Sequence, residues 1–322
     1  MSSFIAQRAL DIDASGIRKV FDLAAKMKDP INFSIGLPDF DVPDIAKQAA
    51  IDSIKRGDNR YTQTQGIAPL RERLAKDLSA EFGRDVGDVL ITSGVSGGLM
   101  LAILATIDPG DEAIFLDPYF VMYKHLLTVA GGKPVIVDSY PDFRFHADRV
   151  EKAITPKTKL LILNSPSNPT GIVMTQEEVA AAVDIAKRHN LLILSDEIYE
   201  PFLYDVSAGG KQNLPSPFQY AALAAMDVPM GDYVAAYRRK CDIVFDRLSK
   251  KFEVAKPQGA FYIFPKAPSG QTASTFVAKA IENNVLIIPG NVFSERDTHF
   301  RISYATTDAK LEQGCDVLCK LA

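Results

Sequence analysis

Between residues 89 and 194, short apolar runs alternate with longer stretches of mixed polarity. The apolar runs fall at 89–92, 112–116, 134–137, 159–163 and 191–194. Runs this short and this rich in Val, Ile, Leu and Phe predict strands buried on both faces. The spacing between them predicts helices. One opens after 93–98, with Leu99, Leu101, Ile103 and Leu104 on or near its buried side, and others cover 121–130, 147–153 and 175–189. Thr175 followed by Glu178 is a capping-box start. Asp108-Pro109-Gly110-Asp111 and Gly131-Gly132 mark turns. Strands separated by helices imply an α/β fold with a mostly parallel sheet covered by helices. Ligands of such sheets bind outside the carboxyl ends of the strands, where Ser96, Asn168 and Asp196 fall.

The pattern changes toward the C-terminus. Residues 232–251 have long helical periodicity, 259–264 read as a strand, 274–283 as a helix, and 285–288 and 300–303 as strands. This predicts a smaller α+β domain formed by 1–38 and 233–322 beside a larger domain over 39–232. No internal repeat or low-complexity tract interrupts either.

Composition narrows the classes. A chain of 322 residues that is 47% hydrophobic and 24% charged has the profile of a globular protein with room for two domains. A net charge of −4 without a basic stripe argues against nucleic-acid binding. Arg238-Arg239-Lys240 reads as a solvated helix face. Four histidines without a cluster, and Cys241, Cys315 and Cys319 without a CxxC pair, argue against a metal site and suit a reducing cytosol. The start of the chain is too polar for a signal peptide, and no apolar run reaches the roughly 20 residues of a membrane span.

Several residues carry chemistry. Asp196 ends an apolar strand, where burial makes a bare carboxylate costly, so a cation should face it. A protonated ring nitrogen would serve, and so would the alternative, an aspartate capping the next turn. Asn168 in Asn168-Pro169-Thr170-Gly171 and Tyr199 in Ser195-Asp196-Glu197-Ile198-Tyr199 can both donate to a phenolic oxygen, although the first run is also an ordinary turn sequence. Ser93-Gly94-Val95-Ser96-Gly97-Gly98 opens a helix after a strand and offers backbone amides to a phosphate, but matches neither a Walker motif nor GxGxxG. Phe120 fits flat stacking on a ring, worth about 0.5–1.5 kcal/mol, or plain core packing. Arg301 lies inside an apolar strand and wants a carboxylate, whether a substrate's or an internal partner's.

Together these residues resemble the class I/II aminotransferases, the aspartate aminotransferase-like group of fold type I, which depend on pyridoxal 5'-phosphate (PLP). The likeness runs from Ser34-Ile35-Gly36-Leu37-Pro38-Asp39-Phe40 through Arg60-Tyr61-Thr62-Gln63-Thr64-Gln65-Gly66 to Pro289-Gly290 and Phe300-Arg301-Ile302-Ser303. It implies that Asp196 pairs with the pyridine nitrogen and that Asn168 and Tyr199 bind the ring oxygen. Phe120 stacks on the ring, and Val95, Ser96 and Gly97 help hold the phosphate. Gly36 belongs to the substrate-side loop, Arg301 takes the substrate carboxylate, and Tyr61 reaches a neighbouring subunit's cofactor phosphate. Amino acids and 2-keto acids are the implied substrates, and a cytoplasmic homodimer without nucleic-acid or membrane partners is the implied state. A PLP lyase or synthase, or a catalytically inactive binding protein of this fold, are the alternatives.

The chain departs from the family between Tyr204 and Ser216. The family carries there a Ser-Lys motif whose lysine forms the Schiff base, with a downstream Gly-Trp-Arg, on two further strands. This chain has no tryptophan and no Ser-Lys-Thr/Ser-Tyr run. Roughly fifty to sixty residues are missing against the family pattern, beyond ordinary loop variation. Either a complete gene product holds residues absent from this sequence, or they are deleted, or Lys211 takes the lysine's place. The first is favoured, because deleting two central strands leaves unpaired edges, while nothing near Lys211 would position it.

Overall fold

A computed structural model describes residues 4–12, 27–204 and 216–322, without the side chains of 216–218. Lys211 lies outside the described residues. The elements in chain order are α1 (Gln7–Leu10), β1 (Ile31–Asn32), α2 (Asp44–Arg56), α3 (Ala68–Phe82), α4 (Gly94–Thr106), β2 (Glu112–Asp117), α5 (Met122–Ala130), β3 (Lys133–Asp138), α6 (Ala147–Lys152), β4 (Thr158–Asn164), α7 (Gln176–His189) and β5 (Leu192–Asp196). They continue with α8 (Ser216–Ala225), α9 (Gly231–Leu248), β6 (Tyr262–Ile263), α10 (Ala273–Glu282), β7 (Val285–Leu286), β8 (Ile288–Pro289), β9 (Phe300–Ser303) and α11 (Asp308–Leu321).

The larger sheet has the order β3-β2-β4-β5, with every pair parallel. Alternation sorts its side chains to two faces. Phe115, Leu160 and Ile162 pack with Leu99 and Ile103 of α4 and Leu126 and Leu127 of α5. Ile114, Leu161 and Leu163 pack on the other face with Val150 of α6 and Ala182 and Ile185 of α7. The α7 capping box is present: the Thr175 hydroxyl accepts from the Glu178 amide, and the Glu178 carboxylate accepts from the Thr175 amide.

Two expectations fail at one edge of this sheet. Residues 89–92 form no strand, although Ile91 N–H donates to Gln65 O at 2.9 Å. Leu101 and Leu104 of α4 are about half exposed rather than buried, as are Leu90 and Leu192. The cause is shared. The sheet ends at β5 among the described residues, so 89–92 has no neighbour to pair with and the far side of α4 has no layer above it. A cleft of about 960 Å³ lined by Leu78, Thr92, Leu99, Ala102, Leu194 and Ile198, among others, opens between α4 and β5.

The second core joins distant parts of the chain. β9 pairs antiparallel with β6 and β8, and β1 pairs parallel with β7, so the predicted 285–288 strand is divided between two partners. The predicted 259–264 strand shortens to β6, with Gly259 bridging to Leu203. Tyr237, Val244, Phe276, Phe300 and Leu311 surround this unit, and Ile31, Phe33, Phe202 and Tyr204 join it. Lys240 corrects the reading of 238–240 as a solvated face. It is buried, ion-pairs with Asp39, and so fastens the 36–40 loop to α9.

Gly171 sits where the loop after β4 meets β6. Its φ is +71°, and a Cβ there would lie 2.6 Å from Pro257 Cβ and 2.7 Å from Tyr262 O. Gly171→Ala should therefore lower unfolding free energy by about 1–3 kcal/mol, read from urea denaturation. Glu200, 7% exposed at the turn after β5, is pushed up to about 7 by burial and by Glu81 and Glu197. The folded state holds this proton after the unfolded chain has released it. Stability from this group therefore falls as pH rises from the ordinary glutamate range to about 7 and stays reduced above it. Glu200→Gln should raise the melting temperature at pH ~8 and flatten its fall between pH ~5 and ~7.

Candidate active site

The carboxyl ends of β4 and β5 meet the start of α4 in a cleft open to solvent. Ser93, Gly94, Val95, Ser96, Phe120, Asn168, Asp196 and Tyr199 are among its walls. Each reaches it because a strand or helix ends there. Asp196 is the last residue of β5, and its register partner is Asn164, the last of β4. Phe120 lies between β2 and α5, half-buried. No side chain caps α4 at Ser93, although the first amide of the helix, Gly94 N–H, donates to Thr92 O at 3.0 Å. Val95 and Ser96 line the cleft, whereas Gly97 lies one step further into the helix and is not on its wall.

Asp196 is 4% exposed. Its Oδ2 accepts from the Tyr123 hydroxyl at 2.6 Å, and its Oδ1 accepts weakly from the Ile198 amide at 3.3 Å. Burial pushes its carboxyl above the ordinary aspartate range, the two hydrogen bonds oppose this, and Glu197 adds to the rise. Among the described residues no cation is paired with it. Such a site is complementary to a protonated ring nitrogen.

Arg301 is the opposite case, a guanidinium 3% exposed with no carboxylate partner among the described residues. It is sandwiched between the rings of Tyr262 and Phe293, each centroid 4.5 Å away. Two of its nitrogens donate to Asn168 Oδ1 at 3.0 Å and Ser34 O at 2.9 Å, while its buried Nε has no partner. Burial pulls it below its ordinary value, and the Tyr262 and Tyr199 hydroxyls oppose that.

A hydrogen-bonded path joins the backbone carbonyl of Asp196 to the Arg301 guanidinium. Asn164 Nδ2 donates to Asp196 O at 3.0 Å, Asn168 N–H donates to Asn164 Oδ1 at 2.9 Å, and Arg301 donates to Asn168. Tyr199 stands beside this path, its hydroxyl 2.9 Å from that of Tyr262. Burial raises the Tyr199 phenol well above its ordinary value. Gly36 sits against the same group, since a Cβ on it would lie 2.2 Å from Tyr262 Oη.

Tyr123 and Tyr262 are the residues that sequence reasoning missed. Neither lies in a run that marks chemistry. Tyr61 is fully exposed and lines a separate cleft with Arg56, Arg60 and Tyr220.

The chain and its fold have counterparts among known proteins. The family description "Aminotransferase class I and II" matches residues 28–211 and 207–318. The chain is 32% identical over 375 aligned positions to "Probable aspartate aminotransferase" of Methanocaldococcus jannaschii, covering 98% of each. It is 31% identical to "Aromatic-amino-acid aminotransferase 2" of Thermococcus litoralis, again over 98% of each. Its structure is similar to that of a Thermus thermophilus aspartate aminotransferase single mutant, with TM-score 0.92, 28% identity and full coverage of both chains. The family match breaks at 207–211, and at least 53 of the 375 aligned positions (375 less 322) hold no residue of this chain. The chain belongs to the class I and II aminotransferases, PLP-dependent enzymes that move an amino group between an amino acid and a 2-keto acid.

Proposed function

We propose that the cleft at the ends of β4 and β5 is the cofactor and substrate site of this aminotransferase, with the roles divided as follows. Asp196 holds the proton on the pyridine nitrogen, and the observation that carries this is its burial without a cation partner among the described residues. Phe120 stacks on the ring. Tyr199, and Asn168 through its Nδ2, donate to the ring oxygen. The α4 start, Val95 and Ser96 with Gly97 behind them, receives the phosphate. Bound PLP supplies an electron sink for the charge that develops at the substrate Cα. Arg301, with an unused buried Nε, takes the α-carboxylate and so fixes which Cα bond stands upright to the ring.

The chain's own residues therefore supply binding, orientation and the retained ring proton. The group that moves the Cα proton is a lysine in the family, and no lysine lines the cleft among the described residues. The break at 207–211 supports the reading that this group belongs to a segment between Asp205 and Ser216. Exposure of Tyr61 supports a homodimer in which it reaches the partner's phosphate. The pairing of β1 with β7 supports a smaller domain of 1–38 and 233–322 beside a larger one of 39–232, although Phe202 and Tyr204 pack across that division. No helix among the described residues is long and apolar enough to cross a membrane, which is compatible with work in the cytoplasm. No substrate side chain is assigned, and the relatives named for aspartate and for aromatic amino acids match almost equally.

Pyridoxamine 5'-phosphate, the amino form of the cofactor, needs no lysine to bind and is the direct probe. The full chain should bind it, and Asp196→Ala should weaken binding about tenfold to a hundredfold, the worth of a hydrogen bond to a charged group. Calorimetry showing equal affinity in the two proteins would sink the assignment. A second experiment concerns the lysine. After incubation with PLP and borohydride reduction, peptide mass spectrometry should find no stoichiometric adduct on Lys211. Amino transfer should appear once the segment of the Methanocaldococcus jannaschii relative that spans the gap is inserted between Asp205 and Ser216. A full adduct on Lys211 with turnover in the uninserted chain would overturn this reading.

A further inference from the structure

α5 begins two residues after Phe120 and brings Tyr123 under the cleft. Tyr123 is 1% exposed. Its hydroxyl makes the 2.6 Å bond to Asp196, the shorter of that carboxylate's two hydrogen bonds. Its ring meets Phe120 edge to face at 5.7 Å and lies tilted 5.8 Å from Phe115 of β2. One side chain thus touches both the ring-nitrogen partner and the ring-face partner of the site.

We propose that Tyr123 is the positioning residue of this site, holding Asp196 ionised and aimed through its hydroxyl and setting the tilt of Phe120 through its ring edge. The proposal rests on the cofactor reading given above. Its physical basis is the balance at Asp196. Burial favours the protonated carboxyl, which cannot retain a proton on a ring nitrogen. A hydrogen bond donated to the anion shifts the balance back, and Tyr123 gives the best one available. Burial raises the Tyr123 phenol well above its ordinary value, so the hydroxyl stays a donor over the whole working range. The other groups facing Asp196 do not replace it. From its own segment come Tyr199 and Glu197, and Glu197 raises the carboxyl further. From the β4 side come the neutral Asn164 and Asn168, and from α4 only the uncharged 93–96 turn.

The test separates the hydroxyl from the ring. In the cofactor-free chain, the Asp196 carboxyl is titrated by ¹³C NMR, with Asp117, also buried and also raised, as internal control. Tyr123→Phe should move the Asp196 midpoint up by about one pH unit and leave Asp117 where it is. Fluorotyrosine at position 123, a stronger donor of similar size, should move it down. This second variant tests the proposal even if Tyr123→Phe fails to fold. Binding of pyridoxamine 5'-phosphate to Tyr123→Phe should weaken about tenfold at a pH below the measured Asp196 midpoint and less than about threefold at a pH well above it. Tyr123→Leu should add a loss that is the same at both pH values, because Phe120 loses its edge contact. An unmoved Asp196 midpoint, or an equal loss at both pH values in Tyr123→Phe, would overturn the proposal. If the unsubstituted chain bound no pyridoxamine 5'-phosphate while the midpoints still moved, the cofactor reading would fail and the Tyr123–Asp196 coupling would stand.

Discussion

A carboxylate taken out of water without a counter-charge organises this molecule. Removing an ion from water costs several kcal/mol in a protein interior unless a partner is present. Asp196 has the Tyr123 hydroxyl and one backbone amide, which reduce that cost but do not cancel it. In the proposed site a bound ligand would supply the missing counter-charge. The sheet fixes where this happens, since the Asn164–Asp196 register of β4 and β5 sets both residues at the same level.

Arg301 mirrors this arrangement with the opposite sign. Its guanidinium lies between two aromatic faces, held by neutral oxygens, with one donor unmatched. The two incomplete charges come from different sheets, and the path from Asp196 O through Asn164 and Asn168 to Arg301 sets their separation. Neutral amides suit this linking role, because a charged linker would complete one site from within and leave nothing for the ligand to contribute. The site's geometry therefore depends on the joint between the sheets, where Gly171 and β6 meet the loop after β4.

The parts of this arrangement legible in the sequence are those with local causes. β2, β3, β4, α7 and β9 follow from apolar runs, a capping box and turn residues close in the chain. Asp196 and Arg301 stood out because each conflicts with its apolar setting, and Asn168 because its amide follows the end of an apolar strand. What could not be read depends on partners far away in sequence. The run at 89–92 has strand composition but no neighbour to pair with, and Leu101 and Leu104 have core composition but no layer above them. Lys240 looks solvated in a basic run until α9 lies against Asp39. Tyr123 and Tyr262 are apolar by habit, and only the folded structure shows that their hydroxyls point at functional groups.

The open side of the sheet and the incomplete chemistry have a common cause. β5 is an edge whose outer residues, Leu192 and Ile193, are exposed, and β5 ends in the residue that would hold the ring nitrogen. A parallel strand laid along that edge would bury those side chains, give 89–92 a partner on its far side, and bring its own carboxyl end to the level of Asp196 and the α4 start. The same insertion would thus satisfy the sheet's unpaired backbone and supply the missing proton-transfer group. Ligand-binding residues already present would need no rearrangement, because all of them are fixed by β4, β5, β9 and the helices packed on their other sides.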